Sequence, residues 1–149
     1  MAAKKIILLM QRISGAYLSR CNEILEKYHL VSPSFHILMF LANHPDLQTA
    51  KDISDLLKLK ANVVSVHVNR LVDSGYLIRE AMPGDRRKIR LLLTEKALPV
   101  VQAGKEMEQR FCSDLKLGLS DETMENLCNI LSVIGKNADQ ILEKGTEVC

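Results

Sequence analysis

The sequence predicts a mainly α-helical protein carrying a single small β-hairpin. Apolar residues recur at spacings of three and four along most of the chain, the pattern of helices with one buried face. That period gives way to alternation only between residues 77 and 93, around a Pro-Gly-Asp cluster. The chain has 149 residues, 47% hydrophobic and 26% charged, a balance that suits one folded domain and excludes a disordered chain.

The first helix is expected over residues 4–28. Ile6, Met10, Ile13, Tyr17, Cys21, Ile24 and Tyr28 form its stripe, broadened by Leu9, Leu18 and Leu25. Val31-Ser32-Pro33 reads as the next start, with Ser32 capping and Pro33 in the first helical position. The helix 33–44 buries Phe35, Leu38, Met39 and Leu41 or Ala42, and His44-Pro45 ends it. Thr49 and Asp52 fit a capping box. The short helix they open runs to Leu57, with Ala50, Ile53, Leu56 and Leu57 inward. A turn at Lys58–Lys60 leads to a helix at 61–74, whose inward set is Val64, Val68, Leu71 and Val72, with Gly75 as its stop.

Strands follow at 77–82 and 88–93, with the hairpin tip near 83–88. Thr94 is expected to cap a long helix at 95–117, kinked near Pro99 and weakened by Gly104. Leu119-Ser120-Asp121 opens a last helix to about 144, with a seam of Met124, Leu127, Leu131, Ile134, Ala138 and Ile141. Short helix, turn, helix and hairpin, in that order, describe a winged helix-turn-helix. We expect one structural domain overall: a winged lobe at 33–117, including the connecting helix 95–117, and dimerisation helices at 1–32 and 118–149.

The net charge is +2, but it is unevenly laid out. Residues 1–48 and 49–97 carry net +2 and +4, and residues 98–149 carry −4. The longest early apolar run is Ile6–Met10, far short of the ~20 residues of a membrane span or the ~7–15 of an export signal. Cys21, Cys112, Cys128 and Cys149 form no CxxC pair. A cytoplasmic protein with reduced thiols is therefore expected, with no membrane partner.

The basic middle third holds the candidate site. With Val64, Val68 and Leu71 inward, the helical period turns Asn62, Ser65, Val66 and Asn69 outward. Such short side chains suit base edges in a major groove: amides fit adenine, hydroxyls are tolerant, and Val66 can meet a thymine methyl. Lys58, Lys60, His67 and Arg70 flank that face as candidate phosphate contacts. The plain alternative is a solvated polar face. Residues 79–90 add Arg79, Arg86, Arg87, Lys88 and Arg90 against Glu80 and Asp85. Arginine at a projecting tip can enter a narrow minor groove. The alternative there is a charged turn that solubilises an edge strand.

At these residues the chain resembles a known family. Gly75-Tyr76-Leu77-Ile78-Arg79, Asp85-Arg86-Arg87 and Leu91-Leu92-Leu93-Thr94-Glu95-Lys96 are similar to the MarR family of winged-helix transcriptional regulators. Asp85, Arg87, Leu93 and Thr94 fill its wing pattern, D-x-R followed by L-T, and Val64-Ser65 and Arg70-Leu71-Val72 resemble its recognition helix. The resemblance implies a homodimer on pseudo-palindromic double-stranded DNA, most simply a repressor. It implies that Asp85 and Arg87 shape the wing, with Arg86 or Arg87 reaching the minor groove and Lys88 beside them. Two positions depart from the pattern. Val66 stands where many members have arginine, which implies one fewer base contact. Asn69 stands where an acid is common, which implies a weaker tie between helix and wing.

The resemblance also implies a small, often aromatic or phenolic effector, held between dimer helices and lobe, that releases DNA by preferring a lobe spacing that misfits the operator. Ile13, Tyr17, Phe35, His36 and Met39 are the candidate lining residues, with plain core packing as the alternative. Some peroxide-sensing relatives carry a reactive cysteine on the first helix, which makes Cys21 a second regulatory reading. Its flanking residues do not reproduce a tyrosine-supported thiolate, and it lies on the apolar stripe. The four histidines share no three- or four-residue spacing, so no metal site is expected, and no cofactor. No Walker loop, G-x-S-x-G or H-E-x-x-H is present, so no catalytic residues are assigned and an enzyme is not expected. A winged helix used for protein contact, its basic tip on an acidic partner, is the competing class.

Overall fold

The computed structural model describes residues 2–146, with side chains over 4–144. The order is α1 (Ala2–Tyr28), α2 (Ser32–Asn43), α3 (Ala50–Leu57), α4 (Ala61–Asp73), β1 (Leu77–Met82), β2 (Asp85–Leu93), a 3-10 turn (Glu95–Ala97), α5 (Leu98–Leu115) and α6 (Asp121–Thr146). The two strands pair antiparallel. Among the described residues no helix is long and apolar enough to cross a membrane. The chain forms two compact units, one up to Phe111 and the other from Cys112 onward. The division falls inside α5, and α1 groups with the lobe, where the sequence had suggested breaks at 32/33 and 117/118.

The core of the first unit is built around α2. Phe35, Ile37 and Leu38 are fully buried, and Met39, Phe40 and Leu41 nearly so. A helix apolar on most of its circumference is a central one. Around it stand Cys21 and Ile24 from α1, Ile53 from α3, Val64, Val68 and Leu71 from α4, Leu77 and Leu91 from the hairpin, and Ala97 and Val100 before and within α5. Burial of each large side chain contributes about 1.5–3 kcal/mol.

Local chemistry sets most boundaries as expected. Thr49 Oγ1 accepts the Asp52 N–H at 3.1 Å, and Asp52 Oδ2 accepts the Thr49 N–H at 2.8 Å, a complete capping box. At the end of α4, Gly75 has φ +77°. Tyr76 N–H reaches the Leu71 carbonyl and Gly75 N–H the Val72 carbonyl, at 2.8 and 2.9 Å, a Schellman closure. Ser120 Oγ accepts the Thr123 N–H at the start of α6.

Other elements differ from expectation. Val31, not Ser32, is the N-cap of α2, and Ser32 Oγ instead lies 3.2 Å from His36 Nδ1. Within α3 only Ile53 is buried; Leu56 is 52% exposed and Ala50 is exposed, because a two-turn helix presents few positions to the core. Strand β2 begins at Asp85 rather than 88, so the turn is only Pro83-Gly84. Thr94 makes no cap; its Oγ1 donates to the Gly75 carbonyl at 2.7 Å and so ties the hairpin base to the end of α4. Pro99 is the second residue of α5, where no intrahelical donor is needed, so it starts the helix instead of kinking it. Gly104 is buried at a close approach to Met39 and Phe35. In the second unit the seam of α6 is open: Leu131 is 53% and Ile141 71% exposed.

Candidate nucleic-acid interface

The α4 face is set from behind. Lys58 takes a left-handed conformation (φ +53°), and Ser54 Oγ donates to the Leu59 carbonyl at 2.7 Å, which turns the chain sharply between α3 and α4. Val64, Val68 and Leu71 then lock the rotation of α4. Asn62, Ser65, Val66, Asn69 and Arg70 are all exposed as a result, with Lys60 exposed at the N-cap. Ser65 and Val66 lie three and four residues after Asn62, and four and three before Asn69, so the four form one continuous patch. Asn69 Oδ1 accepts a hydrogen bond from Arg79 of β1, so the helix-to-hairpin tie survives with an amide where the family pattern often has an acid.

His67 does not stand with that patch. It is half-buried, and its Nδ1 lies 3.0 Å from Ser34 Oγ of α2. Burial pushes its pKa down, and the Arg70 cation adds to that, so the ring is held neutral rather than offered to phosphate. The sign of the pH effect follows. As pH falls below the ordinary value of 6.5, unfolded His67 takes up its proton before the folded form does. Stability contributed at neutral pH is lost on acidification. Thermal melts between pH 7.5 and 5 should therefore show a shallower acid decline for His67→Gln than for wild type; identical slopes would contradict this assignment.

The hairpin is registered Leu77↔Leu93 through Ala81↔Ile89, and then Met82 pairs with Asp85. Arg86, Arg87 and Lys88 are therefore extruded as a three-residue bulge. Gly84 has φ +86°, which the tight turn requires. Asp85 Oδ1 accepts the Arg87 N–H at 3.1 Å and shapes the bulge from inside. The bulge side chains are exposed and, among the described residues, carry no hydrogen bond or ion pair. The other two arginines of the segment are internal ties. Arg90 pairs with Glu80 directly across the ladder, and Arg79 holds Asn69.

Three further contacts root the hairpin, and local sequence patterns gave no sign of them. Leu91 N–H reaches the Gln48 carbonyl at 2.8 Å. Lys96 Nζ donates to the Ser74 carbonyl at 2.7 Å while lying 4.8 Å from the centre of the Tyr76 ring. Thr94 adds the bond already described.

The candidate effector residues separate into groups. Tyr17 and His36 stack at 5.9 Å, Phe111 meets Tyr17 edge-on at 5.4 Å, and Tyr17 Oη donates to Glu108 at 3.2 Å. A hollow of about 240 Å³ opens beside His36 between Ser32, Pro33, Leu57 and Leu59. Phe35 and Met39 are core residues, and Ile13 is exposed farther along α1. Glu108 and Phe111 were not anticipated; they lie on the far side of the sequence from Tyr17. Cys21 is buried, and burial pushes its thiol pKa up. Tyr17 does interact with that thiol, contrary to the expectation from flanking residues, but its lowering effect is the smaller one. Cys112 and Cys128 are exposed and free, and Cys149 lies outside the described residues.

Residues 32–88 match the sequence profile of the MarR family. The chain is 26% identical over 140 residues to the HTH-type transcriptional regulator MhqR of Bacillus subtilis (strain 168), covering 94% of this chain and 96% of the relative. Among solved structures it is similar to the S. aureus MepR–DNA complex, with TM-score 0.76 at 22% identity over 87% of this chain and 94% of that one. It is similar also to CouR from Rhodococcus jostii RHA1 bound to p-coumaroyl-CoA, with TM-score 0.75 at 19% identity over 90% of this chain and 94% of that one. Profile, relative and fold agree with the helix-and-wing geometry: residues 32–88 match the MarR family model, and the chain as a whole is similar to an HTH-type transcriptional regulator and shares the winged-helix fold.

Proposed function

We propose that the protein is a homodimeric, cytoplasmic repressor that binds a pseudo-palindromic operator, with α4 in the major groove and the bulge at 86–88 in the adjacent minor groove. The observation that carries this reading is the pairing of an exposed α4 face with three exposed cations on a rooted hairpin, whose side chains make no hydrogen bond or ion pair among the described residues. Lys60 and Arg70 flank the helix as phosphate contacts. MepR, a fold neighbour, has been solved with DNA.

The dimer rests on apolar surface left open. On α1, Ile6, Ile7, Leu8, Leu9 and Met10 are each more than 50% exposed, and α6 exposes Leu131, Ile134 and Ile141. Isolated exposed apolar residues are ordinary, but contiguous runs mark an interface. A two-fold dimer spaces recognition helices about 34–36 Å apart. Sedimentation at micromolar concentration should give twice the chain mass, and Ile134→Glu should shift it toward the monomer; a monomeric wild type would refute the dimer. Selection from a random duplex library should recover an inverted repeat bound at least ~10³-fold better than scrambled DNA at physiological salt. Equal binding to both would favour a protein-contact module.

For regulation, the aromatic group Tyr17, His36 and Phe111 beside the hollow at Ser32 and Leu57 is the proposed site of a small aromatic or phenolic effector. CouR was solved bound to p-coumaroyl-CoA, a thioester that carries an aromatic acyl group. An effector acts there by preferring one lobe position, and its release of DNA is bounded by that preference.

A further inference from the structure

The chemistry that the α4 face offers to a groove is narrower than its residue types suggest. An asparagine reads adenine when its carbonyl oxygen accepts from N6–H and its NH2 donates to N7 together. In both asparagines here the carbonyl oxygen is already engaged within the protein. Asn62 Oδ1 folds back to accept the Val63 backbone N–H at 3.0 Å. Asn69 Oδ1 turns to the hairpin and accepts from Arg79. Both partners are obligate donors, so the oxygen must be the atom engaged, and the amide orientation is fixed by chemistry. The NH2 of each exposed amide makes no hydrogen bond among the described residues and is left to donate.

Between them sits Val66, four residues after Asn62 and three before Asn69, 48% exposed. Its two methyl groups are the apolar element of a patch otherwise made of amide donors and the Ser65 hydroxyl. The base-pair edge that matches an apolar contact beside a hydrogen-bond donor is thymine, with its C5 methyl and its O4 acceptor. Guanine also accepts from NH2 groups but offers no methyl. Where an arginine would clamp guanine O6 and N7, valine cannot.

Resting on the DNA-binding reading above, we propose that Val66 is a specificity-determining residue that selects thymine in each operator half-site, its methyls packed on the C5 methyl while the Asn62 or Asn69 NH2 donates to O4.

The test replaces thymine by deoxyuridine, one position at a time, in the inverted repeat recovered by selection. Removing one buried methyl should weaken wild-type binding about fourfold at one position per half-site. The Val66→Ala variant should bind the thymine and uracil duplexes equally at that position, while retaining its fold and dimer mass. A repeat with G·C pairs at the positions α4 covers, or uracil tolerated everywhere by wild type, overturns the proposal and leaves DNA binding standing. Recovery of no repeat at all overturns the DNA-binding reading and this proposal with it. An Asn69→Asp variant adds a second readout. It keeps an acceptor for Arg79 but loses the donor, so it should bind the selected repeat more weakly although the hairpin stays tied.

Discussion

Replacing Arg86, Arg87 and Lys88 together by alanine is expected to weaken operator binding by about 10²-fold at ~0.15 M salt, because each phosphate-neutralising cation contributes about fivefold there through counterion release. The salt dependence should become shallower by up to about 3 in the log–log slope. Fold and dimer mass should not change, since these side chains are exposed and make no structural bond among the described residues. Asp85→Ala offers an internal comparison. It removes no cation, but it frees the Arg87 N–H that Asp85 now holds. Its loss of affinity should therefore come without the full loss of salt slope. Fluorescence anisotropy with labelled operator at four salt concentrations checks both. Wild-type affinity in the triple variant would place the wing off the DNA.

Gly104→Val is expected to be strongly destabilising. A Cβ at this position would stand 2.3 Å from Met39 Sδ and 3.1 Å from Phe35 Cε2. Met39 is 3% exposed and Phe35 fully buried, so making room means repacking both within the core. Overpacking of this kind costs about 1–3 kcal/mol or more, and a β-branched side chain adds the larger volume. We expect a loss of about 3 kcal/mol, a fall in Tm of roughly 10 °C. Gly104→Ala should cost less, because alanine regains about 1 kcal/mol of helix propensity. Pairing Gly104→Val with Met39→Ala should recover part of the loss. An undiminished Tm for the single variant would mean that α5 and α2 are not in this contact.

The helix faces and the stops were legible because they are local. The three- and four-residue spacing of Val64, Val68 and Leu71 is enough to turn Asn62 and Val66 outward, and Thr49 and Asp52 complete their box within one turn. The hairpin was legible as an element but not in its register, because alternation alone does not show that Met82 pairs with Asp85. Extrusion of residues 86–88 follows from that pairing. What the sequence withheld are the long-range ties. Thr94 is as good a capping residue as Ser120, yet it bonds Gly75, nineteen positions earlier. His67 has the type of a phosphate contact, and only the packing of α2 on α4 turns it to Ser34. Pro99 and Gly104 have poor helix propensity, and their positions make both serviceable: one in a first turn, the other at a helix crossing.

The hairpin divides its labour between two sets of residues that do not overlap. Gln48, Thr94, Lys96 and the Glu80–Arg90 pair fix where it stands. The side chains of Arg86, Arg87 and Lys88 make no tie among the described residues. Substitutions at these three positions therefore pass without a folding cost, whereas the root tolerates little. Over generations such a protein can retune how tightly it grips its target by drift confined to three adjacent codons.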